Sequence, residues 1–109
     1  MKLSGWGRYP IITSDAFHFH QQEALQQYFS QDVNCISFGK GRSYGDSALA
    51  DHTLHTDLFN HFLNFDEQTG ILTCESGVSL AEILAVFVPR GWFLEITPGT
   101  KYISVGGAI

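Results

Sequence analysis

Three glycines fall within seven residues in Gly39-Lys-Gly-Arg-Ser-Tyr-Gly45, directly after the short apolar run Asn34-Cys-Ile-Ser-Phe38. β-Branched and aromatic residues closing on a glycine suit a buried strand that runs into a loop. Regular structure is disfavoured through the glycines, so residues 39–51 read as loop, with backbone amides that no Cβ shields. Ser43 and Ser47 add short hydroxyl donors beside those amides. A loop of this kind suits an anion such as a phosphate group. The bland alternative is a glycine-rich turn that holds nothing.

Three named phosphate and nucleophile templates test the loop. Gly39, Gly41 and Gly45 space as GxGxxxG with no clear helix behind them, which departs from the dinucleotide fingerprint. No Gly-Lys-Ser/Thr closes the loop, which excludes the P-loop. Gly41-Arg-Ser-Tyr-Gly45 does match GxSxG, the nucleophile elbow of serine hydrolases. An elbow needs a helix immediately after its serine, and Asp46-Ser-Ala-Leu-Ala-Asp-His52 is a poor helix start.

Around the loop the pattern alternates between helix and strand. Ala24, Leu25, Tyr28 and Phe29 recur at helical spacing among four glutamines and predict a helix over residues 20–30 with one buried stripe. A strand is expected at Thr53–Asp57. Phe62–Phe65 and Ile71–Glu75 predict an antiparallel hairpin closed by Gly70. Val78-Ser-Leu-Ala-Glu-Ile83 carries a capping box, with Ser79 and Glu82 exchanging hydrogen bonds and Val78 packing on Ile83. The helix it opens should turn Leu80, Ile83, Leu84 and Phe87 inward and stop at Pro89-Arg-Gly91. Trp92–Ile96 reads as a fifth strand, and the Gly- and Pro-rich opening, residues 3–10, as a packed irregular arm. The order helix, strand, strand, hairpin, helix, strand means α/β or α+β around one core.

Charge narrows the partners. Eleven acidic residues against six lysines and arginines give a net charge of −5, too few cations for a surface that tracks nucleic acid. Any phosphate site must therefore be local and made largely of backbone. His18, His20, His52 and His55, with Cys35 and Cys74, show no third metal ligand at a recognisable spacing, and the histidines read as surface or internally satisfied residues. Two cysteines in unrelated apolar contexts suit a reducing compartment. With no apolar leader and no long apolar run, a cytoplasmic protein is the expectation.

Leu3-Ser-Gly-Trp-Gly-Arg8, Gly39-Lys-Gly-Arg-Ser-Tyr-Gly-Asp-Ser-Ala-Leu49 and Thr97-Pro-Gly-Thr-Lys-Tyr-Ile-Ser-Val-Gly-Gly-Ala-Ile109 together resemble, in the same order, the N-terminal part of FAD-linked oxidases of the vanillyl-alcohol oxidase type. The motifs are nearest to the decaprenylphosphoryl-ribose oxidase-like branch. The resemblance implies an α+β fold, the first subdomain of that FAD-binding fold, built as a small mixed sheet with flanking helices. It also implies that Gly39, Lys40, Gly41, Arg42, Ser43, Tyr44, Gly45, Asp46 and Ser47 hold the flavin diphosphate, with Gly99, Ser104, Val105, Gly106 and Gly107 along the ribityl chain and diphosphate. Some members tether the flavin through a histidine in this loop, where Arg42 stands here, so FAD is expected to be non-covalent.

The family pattern continues beyond Gly-Gly-Ala into the rest of the FAD domain and a substrate domain. Residues 1–109 are thus expected to be a partial FAD-binding domain, with no catalytic base and no metal. The implied parent activity is oxidation of a sugar or related alcohol by hydride transfer to the flavin. The chain alone is expected to be inactive, with the apolar end Ile103–Ile109 lacking cap or turn. A different class of reading is a non-enzymatic remnant or interaction domain that self-associates through its open face.

Overall fold

The computed structural model describes residues 1–109. Its strands divide into three small sheets in place of the single mixed sheet expected. β1 (Lys2–Ser4) and β2 (Ile11–Thr13) form an antiparallel pair. The opening is therefore a pair of short strands joined by residues 5–10, which are irregular as expected but not packed through their aromatic residues. Its aromatic residues stay in water, Trp6 57% and Tyr9 83% exposed, because both lie in the connection and not on a strand face.

β3 (Asp15–His18), β5 (His52–His55) and β4 (Ile36–Phe38) make a parallel sheet in that spatial order. α1 (Gln22–Phe29) connects β3 to β4 and lays Tyr28 on Phe17, with ring centroids 4.4 Å apart. Its inner stripe is Ala24, Leu25 and Tyr28. Phe29, expected inward, is mostly exposed. β5 is the central strand, flanked on both edges, and Thr53, Leu54 and His55 are buried as a parallel centre requires.

The polar members of that strand are satisfied by a directional chain. Ser14 Oγ donates to the Asp51 carbonyl at 3.2 Å and so accepts from Thr53 Oγ1 at 3.0 Å. Thr53, having spent its proton, accepts from His55 Nε2 at 2.9 Å. His55 therefore carries its proton on Nε2 and a lone pair on Nδ1.

The main apolar cluster lies beyond this sheet. The hairpin β6 (Phe62–Asp66) and β7 (Ile71–Cys74) turns at Gly70, whose φ of +75° fits the left-handed closure expected there. α2 (Leu80–Phe87) packs on it through Val78, Leu80, Ile83 and Phe87, with Phe65 4.5 Å from Phe87 between ring centroids. The capping box is present in both directions: Glu82 N donates to Ser79 Oγ at 3.1 Å and Ser79 N to Glu82 Oε2 at 3.2 Å. A single 3₁₀ turn over Val88–Arg90 ends the helix at Gly91, in the left-handed region.

The strand expected at Trp92–Ile96 does not form. Trp92 is drawn under the hairpin, where it meets Phe65 edge to face at 5.4 Å, and this pulls the backbone away from any ladder. Phe93 and Ile96 are left 71% and 85% exposed. The chain end is better organised than its sequence suggests: Ser104 caps a helical turn, α3 (Val105–Ala108), by accepting from Gly107 N.

A compact protein of this mass exposes about 6,000 Å², whereas this chain exposes 7528 Å². Its extents of 43 × 33 × 17 Å describe a slab with uncovered apolar surface. No helix is long and apolar enough to cross a membrane.

Replacing Ser79 with Ala removes the acceptor of the first helical turn and is expected to lower stability by about 1 kcal/mol in urea melts. At the hairpin, the amides of Gln68 and Thr69 donate to Asp66 and hold its carboxyl below the ordinary carboxylate range. The stabilisation is present above the unfolded value of 3.8 and disappears as pH falls through the lower folded value. Asp66→Ala should flatten that acid limb of stability against pH, measured by unfolding melts across the range.

Candidate functional site

The parallel sheet delivers the glycine-rich loop at the C-terminal end of β4, the edge at which open α/β sheets bind ligands. Residues 39–51 form neither helix nor strand, as the glycines dictated. Gly41 and Gly45 have φ of +69° and +57°, conformations that a β-branched side chain resists. No backbone amide from Lys40 to Asp46 donates a hydrogen bond to another protein group. A run of amides without protein partners is what an anion needs from a backbone.

The far end of the chain closes over this loop. Val105 N donates to the Val78 carbonyl at 2.8 Å and Gly106 N to the Ser76 carbonyl at 3.0 Å, which places Ser104 against Gly39. A Cβ on Gly39 would stand 2.7 Å from Ser104 Oγ, so a larger residue would force that hydroxyl away from the loop and from its cap on Gly107. Gly39, Lys40, Gly41, Arg42, Ser43, Ser104 and Gly107 then line one cleft of about 210 Å³.

The remaining site residues expected from sequence stand elsewhere. Tyr44–Ser47 form the turn that ends the loop, where both the amide and the hydroxyl of Ser47 are spent on the Tyr44 carbonyl. The amides of Val105 and Gly106 are likewise used within the protein, so these residues support the cleft and do not line it. Gly99 belongs to a separate groove with Pro98, Thr100 and Lys101, because the segment after Trp92 leaves the cleft edge. No helix follows Ser43, so the hydrolase elbow has no scaffold.

Sequence reasoning missed the contribution of the N-terminal hairpin. Trp6 N donates to the Ser43 carbonyl at 2.8 Å, and Gly5 lies so close to the loop that a Cβ there would collide with the Ser43 and Gly45 carbonyls. The Arg42 guanidinium sits over the Trp6 ring, 5.3 Å from its centroid. A second cleft of about 590 Å³ opens on this side of the loop, lined by Lys2, Arg8, Lys40 and Arg42 without any acidic residue. Four of the six cations of an acidic chain meet at one place. The Leu3-Ser-Gly-Trp-Gly-Arg8 motif was the available signal, but spacing alone could not show that it folds against residues forty positions away.

Residues 20–109 match the sequence profile of the FAD binding domain family. The chain is 30% identical over 115 aligned positions to decaprenylphosphoryl-beta-D-ribose oxidase of Mycolicibacterium smegmatis, an alignment that covers 99% of this chain and 25% of that protein. It thus spans about a quarter of that relative's length. With a bare-amide loop at the end of a parallel sheet and a profile match across most of the sequence, the chain belongs to the FAD-binding domain family of vanillyl-alcohol oxidase type oxidases.

Proposed function

We propose that the loop from Gly39 to Ser43 holds the diphosphate of FAD, with Ser104 and Gly107 closing the cleft on one side and Lys2, Arg8, Lys40 and Arg42 supplying positive charge on the other. The observation that carries this reading is the run of amides from Lys40 to Ser43 along the cleft, none of them bonded to a protein group, in a loop whose glycines carry no Cβ to shield them. A diphosphate brings about two negative charges and requires donors to replace its water. The gathered cations answer the charge and the amides answer the lone pairs.

The rest of the expected set has supporting parts. Tyr44, Gly45, Asp46 and Ser47 fix the exit of the loop, while Val105 and Gly106 pin the closing segment to residues 76–78. The flavin, when bound, supplies an acceptor for the electron pair removed from an alcohol carbon. For the protein to which this chain corresponds, that substrate is read as a sugar or related alcohol, by likeness to the relative named above. None of the cleft-lining residues is a histidine or a cysteine able to form a flavin linkage. The FAD is therefore read as dissociable, with an arginine at position 42.

Gly41→Val should weaken FAD binding by at least tenfold in a fluorescence-quenching titration, because it both strains a positive φ and presses on Phe38. Undiminished binding in that variant and in a Lys40→Ala/Arg42→Ala double variant would sink the assignment. Acid precipitation of FAD-loaded protein should leave all flavin in the supernatant. Colour retained in the pellet would show a covalent link from another residue.

A further inference from the structure

The histidines that spacing left unconnected are brought together by the register of the parallel sheet. His18 and His55 are the last residues of β3 and β5 and sit directly opposite one another, with ring centroids 4.5 Å apart and planes tilted by 32°. Asp57, two residues past β5, turns back so that its Oδ1 lies 2.9 Å from His18 Nδ1. One donor atom from each of the three lies within 4.8 Å of the other two. The other two histidine–carboxylate pairs, His52 with Asp15 and His61 with Glu75, have no third donor.

We propose that His18, His55 and Asp57 form a binding site for one divalent transition-metal ion of the zinc class, separate from the FAD cleft. The donor set favours that class: two imidazoles and one carboxylate suit zinc and its neighbours, whereas magnesium and calcium take oxygen ligands alone. The proton chain through Thr53 and Ser14 is what prepares His55. It holds the Nε2 proton inward and leaves the Nδ1 lone pair available, the arrangement by which a metal-bound histidine is normally oriented.

Tetrahedral ligation with metal bonds near 2 Å requires donors about 3.3 Å apart. Closing from the observed spacing asks only for small rotations of His18 and Asp57, whose side chains are 36% and 43% exposed, while buried His55 stays fixed. His18 Nδ1 and Asp57 Oδ1 now share one proton. Coordination by both would exchange that shared proton for the cation, the ring proton of neutral His18 moving from Nδ1 to Nε2 as its tautomer changes. Three protein ligands leave a coordination position for water.

Zinc ion alone, titrated into chelator-stripped chain by equilibrium dialysis with metal analysis, tests the site. One equivalent should bind with micromolar affinity. His18→Ala and Asp57→Asn, both at exposed side chains, should each weaken it at least tenfold while circular dichroism stays native, and His61→Ala should leave it unchanged. Imidazole NMR signals of His18 and His55 should shift on titration while those of His20 and His61 do not. Absence of saturable binding below millimolar zinc, equal binding in His18→Ala and Asp57→Asn, or loss of binding in His61→Ala would overturn the proposal.

Discussion

An α-helix leaves its first amides without partners inside the helix, and in this protein those of Leu80 and Ala81 find them in the carbonyls of Ile103 and Lys101 at 3.0 and 2.9 Å. The amide of Glu82 is taken by Ser79. The start of α2 is thus a dock for the end of the chain, and everything about the cleft depends on it. Ser79 pairs with Ser104 as an isolated bridge, Val105 and Gly106 are held to Val78 and Ser76, and Ser104 is delivered against Gly39, the first of the loop's three Cβ-free positions. Loss of the cap therefore threatens a site that lies outside the helix.

The loop itself is held from two sides and left unpaired in the middle. Trp6 and Gly5 engage the Ser43 and Gly45 carbonyls from the N-terminal hairpin, and Ser104 meets Gly39 from the other end. The Ser43 carbonyl is taken by Trp6 and those of Tyr44 and Asp46 by the turn behind them, while the amides from Lys40 to Asp46 have no protein partner. Unpaired amides in a Cβ-free loop suit an anion, which needs donors to replace its water. The four cations around it concentrate positive potential in a molecule whose net charge is −5, so attraction to an anion is confined to one edge of the slab.

The same edge of the parallel sheet carries a row of rings at one level. His18, His55 and Phe38 end β3, β5 and β4, with His55 4.8 Å from Phe38 between centroids. Phe38 in turn underlies Gly41. The buried hydroxyl chain beneath His55 gives every inward polar atom a partner, and no buried side-chain nitrogen or oxygen in the structure lacks one. A strand as polar as His52-Thr-Leu-His55 can be central only because that chain exists.

Local rules settled what local energy decides. The helix at Ser79, the hairpin through Gly70 and the loop from Gly39 were legible because caps, left-handed turns and Cβ-free backbone are properties of a few adjacent residues, and the family motifs were legible as strings. Three things were not. Trp92–Ile96 has the composition of a strand but lacks a ladder, because the pull of Trp92 into the hairpin outweighs β-propensity. The convergence of Lys2 and Arg8 on the loop and of Ser104 on Gly39 joins residues distant in sequence, and spacing carries no information about such distances. Asp57 joins His18 and His55 only through strand register, which depends on how two parallel strands settle against each other across an intervening helix. The sequence alone determined the pieces and the loop's Cβ-free backbone, because these follow from adjacent residues; tertiary packing decided which distant cations, hydroxyls and imidazoles meet, because strand register and the docking of the chain end on α2 set those distances.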